Sequence, residues 1–345
     1  MSATTARPRR FGTLREVFGG ITAIGVKELR GRMRGRRAFV IITIHLLLVA
    51  GFAWMIESLM ERTLSGGFGS SFSASAEIGR ALFIAMLMLL TLIVLILAPA
   101  STAGAISLER EKQTLDLLST TPISSLAIVL GKLLSALSWI LLLLLASIPV
   151  TALVFTFGGV GPDDMIRGYI VMLVTAFFYG SLGLFVSALV KRTQAATVIN
   201  LVAVIALTAG TAFIFLFWTS MTAAQFGGGL RDDGLAGFTR RPPEILLWFN
   251  PFVAQADVVC GTETGFGGTC QIIATITDNE PAFNGDGGGF DDQFGVARDS
   301  YWPRALTAMG IASLILIVLS VQLVSPTRRW RLLPRPRRRP AGSDA

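Results

Sequence analysis

Residues 81–108 read ALFIAMLMLLTLIVLILAPASTAGAISL, with no charge among them, and the next four are Glu109-Arg110-Glu111-Lys112. About 20 apolar residues in a helix rising about 1.5 Å each cross the roughly 30 Å hydrocarbon core of a bilayer. This stretch is therefore a membrane span that runs straight into a charged cluster. Five further blocks are free of charge: residues 38–56, 133–161, 168–190, 193–230 and 305–327. Of the whole chain, 52% is apolar and 15% charged, against about 25% charged in a soluble domain. A soluble enzyme, a disordered chain and a disulfide-stapled secreted module are all excluded. The expected fold is an all-α integral membrane protein with six transmembrane helices, an N-terminal interfacial helix and a cytoplasmic coupling helix.

The expected organisation is a basic arm over residues 1–37, a six-helix domain over 38–324 and a basic tail over 325–345. Spans are expected near 38–56, 81–107, 126–157, 168–190, 195–220 and 304–324, with a coupling helix at 108–118 and an outer loop at 221–303. The net charge of +8 is concentrated at the two ends. An even number of spans puts both termini on one side, and those ends together with the short loops on that side, around 109–122 and 191–194, carry 21 Lys and Arg, Lys132 left out, against seven in the opposite loops. Lys and Arg favour the cytoplasmic face, so both termini are expected inside a bacterial cell membrane, the basic ends lying against anionic lipid rather than nucleic acid. Within the arm, Leu14, Val17, Phe18, Ile21, Ile24, Leu29 and Met33 recur at helical spacing among arginines. That pattern suits a helix lying in the membrane interface, with Lys27, Glu28, Arg30, Arg34, Arg36 and Arg37 toward the headgroups.

Individual residues inside the spans carry further expectations. His45, the single histidine, is either a proton relay or a neutral imidazole bonded to a neighbouring helix. Without intramembrane carboxylates the second reading is preferred. Lys132 is expected to snorkel toward the surface. Pro99 with its cluster of small residues, and the series Ala176, Gly180, Gly183 and Ser187, are expected to let helices approach closely. In the outer loop, Glu244–Val259 reads as a short apolar helix lying on or dipping into the outer leaflet. Its Asn250-Pro251 pair is placed as a cap and a first helical residue. Cys260 and Cys270 are the only cysteines, and an outside location permits a disulfide between them; two free thiols are the alternative. Asp286, Asp291 and Asp292 do not follow the spacing of a calcium-binding loop, so no metal site is expected.

The segment 106–124 carries the function. Ser107 can cap a helix, Glu109 and Glu111 suit its positive end, and Pro122 stops it. The pattern Glu109-Arg110-Glu111-x-x-Thr114-Leu115-Asp116-Leu117-Leu118-x-x-x-Pro122 resembles the coupling region of permease subunits of type 2 ATP-binding-cassette (ABC) exporters. The basic stretch Glu28–Arg37 is similar to that family's connecting helix, and Asn250-Pro251-Phe252 also resembles its outer element. The resemblance implies a permease that pairs with a second copy or a paralogue and is driven by ABC ATP-binding subunits. Glu109, Arg110, Glu111, Thr114, Leu115, Asp116, Leu118 and Pro122 would then be the ATPase-coupling residues. No phosphate-binding loop of the Gly-x-x-x-x-Gly-Lys-Ser/Thr type occurs in the chain. The chain is therefore expected to be no enzyme and to hold no cofactor, with ATP and Mg bound by the partner. The competing reading is a membrane anchor or scaffold that transports nothing.

Overall fold

The computed structural model describes residues 36–64, 71–113, 125–226, 243–260 and 301–324. Among these the chain is helical throughout, and six helices are long and apolar enough to cross a membrane, as the uncharged blocks require. They are span one (Arg36–Leu64), span two (Ser71–Thr102), span three (Ser125–Thr151, prolonged by Val154–Phe157), span four (Pro162–Leu189), span five (Thr193 to Phe226) and span six (Trp302–Val324). The expected interfacial arm lies outside the described residues except for Arg36, exposed at the start of span one, and Arg37 in the same helix.

Span four is the axis of the bundle. Two thirds of its apolar window (67%) is buried by the other helices, against 11% for span one. Its sequence explains the difference. Gly168, Gly180 and Gly183 bring neighbouring side chains to within contact of its backbone, whereas span one presents Phe39, Ile44, Leu47 and Trp54 outward. Large apolar groups facing outward and small or polar groups facing inward are what lipid as solvent selects. Span five belongs with span one in this respect, with Phe213, Leu216 and Val202 on its outward side.

At one end of the bundle, residues 243–260 form a hairpin that enters the protein. A turn of 3-10 helix (Glu244–Leu247) leads in and the helix Pro251–Cys260 leads out. Both arms are tied to the start of span six. Glu244 pairs with Arg304 at 3.3 Å, and one carboxylate oxygen of the buried Asp257 accepts the amides of Tyr301 (3.2 Å) and Trp302 (2.8 Å). The tip lies deeper. The Tyr179 hydroxyl donates to the Phe249 carbonyl at 2.9 Å, and the Asn250 amide donates to the Thr208 carbonyl, midway along span five, at 3.0 Å.

Irregular backbone survives at such depth only where its polar groups are satisfied inside the protein. Here the Phe252 amide donates to the Asn250 side chain at 3.1 Å, so Asn250 caps the helix that Pro251 begins. The short helix expected from the sequence is present, with the tip before it bonded to spans four and five. Thr208 offers its carbonyl because Ala206–Gly210 is a wide π-turn, in which the ladder of helical bonds shifts by one residue. Burial, helped by the Glu244 and Asp257 carboxylates, holds the Tyr301 phenol protonated, well above its ordinary range.

Candidate functional site

At the opposite end, the exit from span two meets the turn between spans four and five. The Ala103, Leu108 and Arg110 amides bond the carbonyls of Pro99, Gly104 and Ile106. The short helix Ser107–Glu111 is thus an extension of span two. Residues 75–111 form one stretch of 37 residues, well beyond the about 20 that a bilayer core requires. The helix stops at Glu111, and Gln113 takes a left-handed conformation with φ 57°.

Continuation from span two changes how the short helix is capped. Ile106, at the cap position, is itself near-helical and makes no side-chain cap. The hydroxyl of Ser107, expected to cap, donates instead back to the Ala103 carbonyl at 3.3 Å. The cap comes from span four: the Ser187 Oγ accepts the amides of both Ile106 and Ser107 at 3.0 Å. Ser187 was read from sequence as a packing residue. Its role as acceptor is set by an approach between segments about 80 residues apart, which no local pattern records.

The next three side chains each grip a different span. Glu109 pairs with Lys132 of span three at 2.8 Å. Lys132 is 5% exposed, so it does not snorkel; Glu109 meets it inside the protein. Arg110 donates to the Ala188 carbonyl in the last turn of span four at 3.1 Å, where helix carbonyls lack intrahelical partners and a cation is favoured. Glu111 receives the amide and the hydroxyl of Thr193, one on each carboxylate oxygen, both at 2.8 Å. Arg192 makes no side-chain cap for span five; the cap is this carboxylate from another segment, placed at the positive end of the helix. Successive helical positions point about 100° apart, which is why three neighbouring residues reach three helices.

Beneath this clasp spans two, four and five are knotted together. Pro99 leaves the ladder of span two locally open, and its carbonyl accepts from the Thr102 hydroxyl (3.3 Å) and the Asn200 amide (3.0 Å). Gly183 of span four faces this knot. A Cβ there would collide with Thr102, Asn200 and the Pro99 carbonyl. His45 is buried, 8% exposed, and its Nε2 has no hydrogen-bond partner among the described residues.

The structure therefore brings Glu109, Arg110 and Glu111 together in one device and adds Lys132, Ser187, Thr193 and Asn200, which sequence reasoning did not assign. Thr193 did leave a signal, a small hydroxyl residue directly after Lys191-Arg192 at the head of an apolar block. Thr114, Leu115, Asp116, Leu118 and Pro122 lie outside the described residues, as do Lys27, Glu28, Arg30 and Arg34. Cys260 closes the hairpin helix; Cys270 and the Asp286–Asp292 segment lie outside the described residues. Residues 22–260 match the family described as ABC-2 family transporter protein. No curated protein matches the chain.

Proposed function

This chain belongs to the ABC-2 transporter family as a multi-pass membrane permease that works with an ATP-binding subunit, and we propose that it is the permease of an ATP-driven exporter, moved through the clasp at Glu109–Glu111. In this reading the clasp faces the cytoplasm, in line with the basic chain ends. A separate ATP-binding subunit, which holds ATP and Mg, docks on the loop that follows span two. A second permease, a copy or a paralogue, completes the transport path, and the basic ends rest on anionic lipid.

The observation that carries the proposal is the set of three bonds from consecutive residues to spans three, four and five. A push on the projecting end of span two moves these three helices together. A surface helix with freely solvated charges would move none of them.

The test uses the permease purified with its ATP-binding subunit and reconstituted in proteoliposomes. Charge reversal of both carboxylates, Glu109→Lys with Glu111→Lys, is expected to leave membrane insertion and subunit association in place. It should abolish the stimulation of ATP hydrolysis by the permease and the export that depends on it. Unchanged stimulation and export in the double variant would overturn the reading.

A further inference from the structure

Spans two and three each contain a proline, Pro99 and Pro149. Span five contains none, yet its helical ladder shifts at Ala206–Gly210, close to its middle. Side chains hold this break open. The Thr211 amide reaches back five residues to the Ala206 carbonyl, so the Leu207 carbonyl loses the amide that an α-helix would give it. The Thr211 hydroxyl donates to that carbonyl instead, at 2.7 Å. The Thr208 hydroxyl donates to the Val204 carbonyl at 2.8 Å, and the Thr208 carbonyl accepts the Asn250 amide from the hairpin at 3.0 Å.

The two halves on either side of the break are tied to opposite ends of the molecule. The inner half, Thr193–Ile205, is held by Glu111 at its head and by the bond from Asn200 to the Pro99 carbonyl. The outer half, Thr211–Phe226, is held at the hairpin: its buried Phe215 packs with Leu247 and Val258, and with Tyr301 and Ala305 at the head of span six. The break also sets the register between the halves. Ala196, Asn200, Val204 and Thr208 are buried at four-residue steps, and each such step turns the buried face of an α-helix by about 40°. A π-turn takes one residue more per turn and winds this drift back, which returns Phe215 to the protein side.

We propose that Ala206–Gly210 is a pivot at which the inner half of span five swings with the clasp while the outer half stays with the hairpin, and that Asn250 anchors it. The inference rests on the proposed function, which makes the clasp the moving end. π-turns are among the few causes of sharp bending in a helix. Here the Thr211 hydroxyl and the Asn250 amide already fill carbonyls at the break, so the bend can change without leaving polar backbone bare in lipid.

The experiment places spin labels at Val198→Cys and Phe217→Cys, outward-facing positions on either side of the turn, in permease held in nanodiscs with its ATP-binding subunit. Unlabelled permease is added in excess, so that only distances within one chain are read, without nucleotide and with ATP trapped by vanadate. A bend of about 20° acting over the roughly 15 Å between Thr208 and Val198 displaces the inner label by about 5 Å. The Val198–Phe217 distance should therefore shift by about 2–5 Å on trapping. A second pair, Phe217→Cys with Ile245→Cys on the hairpin, should keep its distance. Deleting Ala209, which converts the π-turn to continuous α-helix with both faces kept in register, should remove the shift and the export while the ATP-binding subunit still associates. Should that variant fail to insert, the two wild-type-background pairs decide by themselves. An unchanged Val198–Phe217 distance in permease that exports, or export at the wild-type rate after deletion of Ala209, would overturn the inference and leave the proposed function intact. A permease that neither exports nor stimulates ATP hydrolysis would overturn the proposed function itself.

Discussion

At the hairpin end, Asn250, Gln255 and Asp257 reach the backbones of spans five, four and six from positions 2%, 0% and 0% exposed. At the clasp end, Arg110 and Glu111 reach spans four and five from positions in contact with solvent, while Lys132, the partner of Glu109, and the Ser187 cap are buried. Both ends use the same device, a side chain from one segment satisfying the end of another. They differ in what replaces the bond when it breaks. A buried acceptor that loses its donor forfeits a full solvation shell, while an exposed one finds water. The hairpin is on this ground a fixed brace, and the clasp a joint that opens at small cost.

The contrast breaks most readily at Asp257. Asp257→Ala leaves the first two amides of span six without their buried acceptor and should cost about 2–4 kcal/mol, read as a large fall in melting temperature in detergent, with Asp257→Asn recovering part of it. A variant that melts like wild type would show that the hairpin is no brace. Next in size is Gly183→Val in the knot below the clasp. Overpacking against the Pro99 carbonyl should cost about 1–3 kcal/mol and loosen the contact of spans two and five with span four, measurable by cross-linking across that level.

Glu109→Gln removes the charge opposite the buried Lys132 while keeping an acceptor, and should cost about 1–3 kcal/mol in the same melting assay. A cost as large as that of Asp257→Ala would place the clasp in the same class as the hairpin. Glu111→Ala sharpens the comparison from the other side. Its melting temperature should stay that of wild type, while hydrogen exchange of the Thr193 amide accelerates, since water then competes for the head of span five. Unchanged exchange would mean that Glu111 does not hold that helix end.

Much of this was readable in the chain. The six spans follow from length and lack of charge alone, and Asn250-Pro251 announced both the hairpin helix and its cap. The segment Glu109–Glu111 was recognisable as a site, because charges crowd directly behind a span. Its internal chemistry was not readable. A carboxylate in a short polar segment looks the same whether it faces water or Thr193, and Lys132 looks like any lysine near a span end. The Ser187 cap and the Asn200–Pro99 bond join residues about 80 to 100 positions apart, and nothing in their local context distinguishes them from packing residues.

Composition by itself therefore determined the solvent: a chain this apolar in uninterrupted blocks has to be helical in lipid, since each helix satisfies its own backbone and needs no neighbour to do so. Tertiary structure decided which polar side chains complete the helix ends and proline breaks left over. Helix-end groups have no partner within their own helix, and the Pro99 carbonyl accepts further bonds beside that of Ala103, so these partners are whatever the packing of spans around span four brings within bonding distance. That selection turned a mixed-charge stretch into an inward-gripping clasp.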